Sequence, residues 1–482
     1  VNALLPHFLT CRCPPVLATL LAATTGCLAL LHAGATVTNP PPWLDRPLTL
    51  EDCLNLALQQ NGEVRKSLQD VAAALGVVIQ TRAIVLPKLR AGGGYAVTEE
   101  SAAERIAVPP LPGIPPGLDL VNPDTQRWSA SVRLVQSVFE GGRLSSSLRT
   151  ARLTREQALA RHEIVLADVT TDVRVAFYDV LVTEQEIAVR EASVKLLEQE
   201  LEDTQRRFNA GTVPRFNVLR AEVELANARP SVSRAKNAYR IAKNGLVNRL
   251  GYEVPRDVWE DLPLKLAGTL DVDKFEIAVP KAIALALEQR PELLALRKAE
   301  ALGRENVVSA RAGRLPSVQS YVGYGSHSPS YERDLSRDIS GWEAGVQVSW
   351  DLFDGGLTRG KARQAHALWE KTQVETDDTT RNIELEVRTA YSTLEEAGEV
   401  LTSQEKVCEQ AEEALRLANA RAEAGTGTQL DVLGAQTALT EARTTQVRAK
   451  HDYAVARTRL ERAIGAYTPE LANRDEMSHL PR

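Results

Sequence analysis

The chain has 482 residues, 57 basic against 63 acidic groups, 5% aromatic residues and much alanine, leucine, glutamate and arginine. That balance carries no basic excess for nucleic acid and no acidic tail. Two to four globular domains would suit the length, but a composition rich in helix formers also suits long helices whose cores are seams.

The first 35 residues carry one arginine (Arg12), an apolar run from Val16 to Leu31 and small residues at Ala33 and Ala35, the pattern of a secretory signal cleaved after Ala35. Cys27, in TTGC, offers a second reading as a lipid anchor. Past the leader only Cys53 and Cys408 remain, so an exported protein would have no disulfide framework. No later apolar run reaches the roughly 18 residues of a membrane helix, so a membrane connection needs strands or lipid.

LTLEDCLNLALQQN from Leu48 predicts an early helix. A weak, glycine-rich strand signal follows around GGGYAV at Gly92, and then a proline-rich insert, ERIAVPPLPGIPPGLDLVNPD. In WSASVRLVQSV, Trp128, Ala130, Val132, Leu134 and Val138 share one face, opposite Ser129, Ser131, Arg133 and Ser137. This is the alternation of a strand with one apolar side. It fits a lipid-facing strand with tryptophan at an interface, with a half-buried hairpin in a soluble sheet as the second reading.

After FEGGR, Val173, Ala176, Val180, Thr183, Ile187, Arg190, Val194, Leu197, Leu201, Thr204 and Phe208 step by three and four alternately, a coiled-coil seam of small residues. One helix from Gly142 to Ala210 would be roughly 100 Å long at 1.5 Å per residue. AGTVPRFNVL breaks it at Gly211, where glycine suits a positive φ. Thr212 or Thr428 is placed to cap the return helix.

The chain then repeats itself. Phe139 falls on Phe353 (353 − 139 = 214), Gly211 on Gly425, Tyr239 on Tyr453 and Gly251 on Gly465, without a gap. Upstream, Ala57 falls on Ala286 and Tyr95 on Tyr324 (324 − 95 = 229). The second copy holds the strand WEAGVQVSWDL, with Trp342, Ala344, Val346, Val348, Trp350 and Leu352 on one face and a partner in SYVGYG. Its break is AGTGTQLDVL. The expected organisation is 1–35 signal, 36–255 first repeat, 256–278 linker, 279–469 second repeat and 470–482 tail.

FEGG and FDGG, the two AGT breaks, LTLEDCLNLALQQN and the duplication together resemble the TolC-like outer-membrane factor family, from about Leu48 to Thr468. The resemblance implies a mainly α fold with a transmembrane β-barrel, in which four strands per chain contribute to a trimeric twelve-stranded barrel above an α-helical tunnel. It implies a homotrimer in the outer membrane, a passive exit channel for efflux or type I secretion, supplied with energy and substrate by an inner-membrane transporter and a periplasmic adaptor, the membrane fusion protein. Trp128, Val132, Leu134, Trp342, Val346, Val348 and Trp350 would then face lipid. Gly211, Thr212, Gly425 and Thr426 would form the tip where adaptors dock, and Asp431, matched by Asn217, would form an acidic constriction. The family's second aspartate and its arginine after AGT are here Gly434 and Gly427, so one acidic ring is expected and an ionic lock is in doubt.

Cys408 and Cys53 read as packing residues, and the mature histidines (His162, His327, His366, His451, His479) lack metal-ligand spacing. No HExxH, P-loop, nucleophile elbow or catalytic carboxylate pair is present, so no enzyme, cofactor or metal is expected. An exported coiled-coil adaptor without a pore is the other function considered. It leaves the two strand hairpins unexplained.

Overall fold

A computed structural model describes residues 46–97, 126–252, 262–271, 273–328 and 338–466. The expected leader (1–35), the proline-rich insert and the tail (470–482) lie outside these residues, and the 256–278 segment lies partly outside. The chain divides into a minor unit, Val1–Pro47 with Pro263–Lys265, and a major unit holding everything else. All that follows concerns the major unit.

In chain order its elements are α1 (Leu50–Gln60), α2 (Gly62–Arg82), β1 (Lys88–Val97), β2 (Gln126–Glu140), α3 (Arg143–Asn209) and α4 (Arg215–Leu250). Then come α5 (Val279–Gln289), α6 (Pro291–Arg311), β3 (Ser317–His327), β4 (Ile339–Ser349), α7 (Leu357–Glu423) and α8 (Gln429–Ala463). No helix among the described residues is long and apolar enough to cross a membrane.

The helix ends follow from local chemistry. Thr49 opens α1 with a capping box, its Oγ1 accepting from the Asp52 N–H at 3.2 Å while the Asp52 carboxylate accepts from the Thr49 N–H at 3.1 Å. Asn61 caps α2 by accepting from the Glu63 N–H at 2.7 Å. The long helices α3 and α7 have 67 residues each. Both begin after a glycine pair, Gly141–Gly142 and Gly355–Gly356, held at positive φ, where side chains pay a steric cost.

The four strands form one antiparallel sheet in the order β1-β2-β3-β4. Each strand joins the helix beneath it: α2 leads into β1, β2 into α3, α6 into β3, and β4 into α7. The helices keep the same lateral order, α2 against α3, α3 against α6 and α6 against α7. Further from the sheet, α4 and α8 replace α2 and α6, so the row becomes α4, α3, α8, α7. Four helices thus lie abreast at either level.

The core sits in the middle of each repeat. In the second, Ala282, Ala286, Leu293, Ile383, Val387, Leu394, Tyr453, Ala456, Leu460 and Ile464 pack together. In the first, Cys53, Ala57, Val64, Val173, Val180, Leu246 and Leu250 are buried at the matching places. Cys53 therefore fills the position of Ala282 (282 − 229 = 53), and its burial, then the charge of Asp52, pushes the thiol up to about 12. It is a packing group and not a nucleophile.

The seam is followed faithfully by α7. Along 383–422 only the seam positions and a few immediate neighbours escape full exposure, with Ile383, Val387, Leu394 and Cys408 buried. By contrast, α3 is buried on several faces, with Phe177, Leu181 and Val182 added to the seam residues Val173, Ala176 and Val180. An interior helix needs apolar groups all round its axis, and a helix at the end of a row needs them on one side.

Candidate functional site: the sheet and the hairpin tip

Register decides which strand residues share a face. Opposite partners in an antiparallel pair lie on the same side, so Trp128 stands by Tyr95, Val132 by Ala91 and Tyr324, and Leu134 by Leu89 and Val322. Across the next pair Tyr324 meets Trp342, their rings edge to face at 5.2 Å between centroids, and Val318 meets Val348. Val132, Leu134, Trp342, Val346 and Val348 are all exposed on this face, and Trp128 is half-buried.

Sequence reasoning missed Leu89, Tyr95 and Val97, also exposed on the apolar face. Three glycines in β1 mask its alternation, and only the pairing register reveals it. Two details differ from expectation. A bulge between Ser137 and Phe139 places Phe139 opposite Val318, so Phe139, not Val138, continues the apolar face. The strand of the second repeat ends at Ser349, leaving Trp350 just beyond it with its indole N–H donating to the Arg314 carbonyl at 3.1 Å.

The other face of the sheet is polar and small. Arg133 forms an ion pair with Glu343 across β3 and stacks over the Tyr321 ring at 5.1 Å. Glycines at 92, 94, 323, 325, 341 and 345 and serines at 129 and 131 share this face with Arg90, Gln319 and Gln347. One face suits hydrocarbon and the other suits water, as a membrane barrel strand requires.

At the other end of the long helices, each AGT break is a Schellman turn. The Gly211 N–H donates to the Phe208 carbonyl at 2.9 Å and the Thr212 N–H to the Arg207 carbonyl at 2.9 Å, and Gly425 and Thr426 repeat this on Ala422 and Arg421 at 3.2 and 2.9 Å. The glycines have φ of 74° and 72°. All four turn residues are exposed.

The return helices are capped differently. Thr428 caps α8 through a second capping box, whereas Pro214 stands at the start of α4 with no side-chain cap. Thr212 turns back instead, its hydroxyl donating to the Arg207 carbonyl at 2.8 Å. Thr212, expected as a cap for the return helix, does not cap it: proline two residues on takes that place.

Asp431 is the third residue of α8, exposed, and its Oδ2 accepts from the Thr428 N–H at 2.9 Å and the Thr428 hydroxyl at 2.7 Å. The Thr428 backbone and side chain, with the nearby Arg421 charge, hold its carboxyl below the ordinary value. Asn217 lies elsewhere, half-buried in a groove of about 900 Å³ between the two hairpins, lined also by Thr212, Gly425 and Gln429. The structure therefore brings Asn217 to the inter-hairpin groove and leaves Asp431 outside its lining.

Gly427 is constrained by its surroundings. A Cβ there would stand 3.0 Å from both the Ala422 nitrogen and the Arg421 Cβ, while its N–H donates to the Arg421 carbonyl at 2.9 Å. A side chain here would need the preceding turn to give way slightly.

The hairpins are joined by polar links between α3 and α8 that the sequence did not announce. Gln429 Nε2 donates to the Thr204 hydroxyl at 2.5 Å and Glu200 at 3.2 Å, Thr440 donates to Ser193 at 3.0 Å, and Arg448 pairs with Glu186 at 2.6 Å. His451 Nε2 meets Asp179 at 2.8 Å and its Nδ1 meets Asp452 at 3.0 Å. Burial alone would lower its pKa, but the hydrogen bonds and charges of Asp179 and Asp452 outweigh this and raise it above 6.5. Higher up, Arg462 bridges Asp168 and Glu292, and Arg290 pairs with Glu292 and Glu386.

A family profile described as outer membrane efflux protein matches residues 53–252 and 282–466. The chain belongs to the outer membrane efflux protein family. Among curated relatives of this efflux protein, the outer membrane protein TolC of Vibrio cholerae is 24% identical over 429 residues, covering 87% of this chain and 91% of that one. The alkaline protease secretion protein AprF of Pseudomonas aeruginosa is 23% identical over 426 residues, covering 86% and 83%. Among solved structures, the CmeC outer membrane channel of Campylobacter jejuni superposes with a TM-score of 0.72 at 16% identity, covering 86% of this chain and 85% of that one. The apolar sheet and long helices are thus those of an outer-membrane efflux channel.

Proposed function

We propose that three copies of this chain close into one passive duct running from the periplasm through the outer membrane. The observation that carries this is the coincidence of open edges. The sheet ends on β1 and β4, and the helices attached to those two strands, α2 and α7, are also the outer members of their row. An open sheet edge in hydrocarbon leaves N–H and C=O groups unpaired, at a cost of several kcal/mol each. Closure by further copies removes the edges of sheet and helices at once. Three copies give 3 × 4 = 12 strands, within the range known for such barrels.

In this reading Trp128, Val132, Leu134, Trp342, Val346, Val348 and Trp350 meet lipid, and the Arg133–Glu343 face lines the water-filled bore. The tips at Gly211, Thr212, Gly425 and Thr426 receive a periplasmic adaptor, whose inner-membrane transporter supplies energy and cargo. Asp431, once per chain, supplies a three-fold acidic ring at the constriction, with Asn217 at the matching position of the first hairpin. The duct performs no chemistry. Because AprF is named for alkaline protease secretion and the family for efflux, both secretion of proteins and efflux fit a passive exit.

Native mass spectrometry and planar-bilayer recording of detergent-extracted outer membranes test the proposal together. Trimers with steady single-channel conductance are expected. A soluble periplasmic monomer without conductance would leave the pore-free adaptor as the better account.

A further inference from the structure

Where the second repeat passes from strand to helix, a cavity of about 460 Å³ opens between the end of α6 and the start of α7. Arg311, Arg314, Arg359 and Arg363 line it together with His366 and Glu370. His366 and Glu370 are paired with each other at 3.4 Å. Among the described residues none of the four guanidinium groups has a carboxylate or other hydrogen-bond partner. Four like charges lining a cavity whose one carboxylate, Glu370, lies against His366 repel one another unless a further anion joins them.

The first repeat treats the same place differently. Arg359 corresponds to Ser145 (359 − 214), and Arg314 to Val85 (314 − 229). Arg363 corresponds to Arg149 (363 − 214), which is neutralised by Glu305 through bonds of 2.7 and 2.9 Å. Arg143 is paired with Glu140, and Arg152 with Glu156. On the trimeric reading above, α2 of a neighbouring copy meets α7 as α6 meets α3, and the residue there in the place of Glu305 is Gly76 (305 − 229). The place that Glu305 fills beside Arg149 therefore holds no carboxylate for Arg363.

The surroundings say what kind of anion fits. Trp350, Leu352, Phe353, Leu357 and Leu315 are all more than half exposed beside the cavity. The Trp350 indole is hydrogen-bonded to the Arg314 carbonyl itself, and tryptophan favours the membrane interface. The apolar sheet face begins at Val318, a few residues beyond Arg314. A ligand here must carry an anionic head for the arginines and acyl chains for the apolar rim, and it must lie at the periplasmic boundary of the membrane.

We propose that this cavity binds the headgroup of an anionic phospholipid of the inner leaflet, one per chain, with arginines on the phosphate and acyl chains along the rim of Trp350 and Leu352. The basic side chains act as in other juxtamembrane lipid sites, each contributing about fivefold in affinity. Arginine suits the task because its planar fork matches a phosphate oxygen pair.

The full-length protein in detergent, titrated with phosphatidylglycerol and followed by native mass spectrometry, tests this. Phosphatidylglycerol should bind at one per chain and at least tenfold tighter than phosphatidylethanolamine. The quadruple variant R311Q/R314Q/R359Q/R363Q should lose about a hundredfold or more. A charge-matched control with Arg65→Gln, Arg234→Gln, Arg240→Gln and Arg388→Gln, all exposed and remote from the cavity, should bind as the wild type does. The lysine version of the four sites should keep binding within a few-fold, since charge is retained.

Equal binding of the two lipids, an unaffected quadruple variant or displacement by millimolar inorganic phosphate would each overturn the proposal, the last by making the site one for soluble anions. Conductance of the quadruple variant in phosphatidylethanolamine bilayers should be unchanged, so the lipid site can fail while the duct stands.

Discussion

At the scale of single residues, one carboxylate serves two purposes. Asp431 holds the start of α8 through Thr428 and, in the proposed duct, presents a charge at the constriction. Asp431→Ala should reduce cation preference in planar-bilayer reversal potentials, and unchanged selectivity would remove Asp431 from the bore. Because its folded pKa is depressed below 3.8, the charge and its capping bond persist above that value and are lost only as pH falls through the lower one. Selectivity should therefore survive at pH 4.5 and fade only in stronger acid. Thr428→Ala removes the other half of the box and should destabilise the tip by about 1 kcal/mol, visible as faster amide exchange over 428–432 with the seam at Val387 unaffected. The need for some cap could be read from the sequence. Which threonine supplies it could not, because only the folded turn shows that Pro214 displaces Thr212 from that role.

At the scale of elements, the α3–α8 contact joins two hairpins that duplication alone would leave equivalent. His451 sits between Asp179 of α3 and Asp452 of its own helix, with Arg448 and Lys450 nearby and paired to Glu186 and Asp271. Its folded pKa is raised, so its contribution is fully present below pH 6.5 and is lost as pH rises through the folded value. Amide exchange along α8 should be slowest in mild acid and speed up toward alkaline pH, and His451→Gln should flatten that profile. Further along the same helix pair, Phe177 is 2% exposed and lies against Gly268, where a Cβ would come within 2.9 Å of its ring. Phe177→Ala should cost about 3–5 kcal/mol, measurable as a lower midpoint of thermal unfolding. The seam of α7 was readable because it is a period of one helix. The α3–α8 links were not, since each joins residues more than 200 positions apart.

At the scale of the whole molecule, the sheet is stable only as part of something larger. Its apolar face is exposed along all four strands, and among the described residues its outer strands have no further neighbours. An arginine placed at the middle of that face, Val346→Arg, should cost about 2–4 kcal/mol in a bilayer and lower the yield of heat-resistant trimers from outer-membrane fractions. The same substitution on the bore side, at Gln347, should be tolerated. Equal effects at both positions would mean that the two faces do not differ in solvent.

The sequence by itself determined the duplication, the two 67-residue helices, the glycine turns and the parity of the stronger strands. These are written as local periods of two and of three to four residues and as single residues that tolerate positive φ, and local sterics enforce them without long-range information. Tertiary structure decided what depends on register and on partners distant in sequence. It set the parity of glycine-rich β1 through its pairing with β2, and the bulge that hands the apolar face from Val138 to Phe139. It also set the placing of Asn217 in the groove apart from Asp431, and the gathering of four arginines from two segments about 50 residues apart. A lone arginine on a helix end reads as a solvated charge, and only the fold shows that four of them share one cavity whose single carboxylate, Glu370, pairs with His366 and not with them.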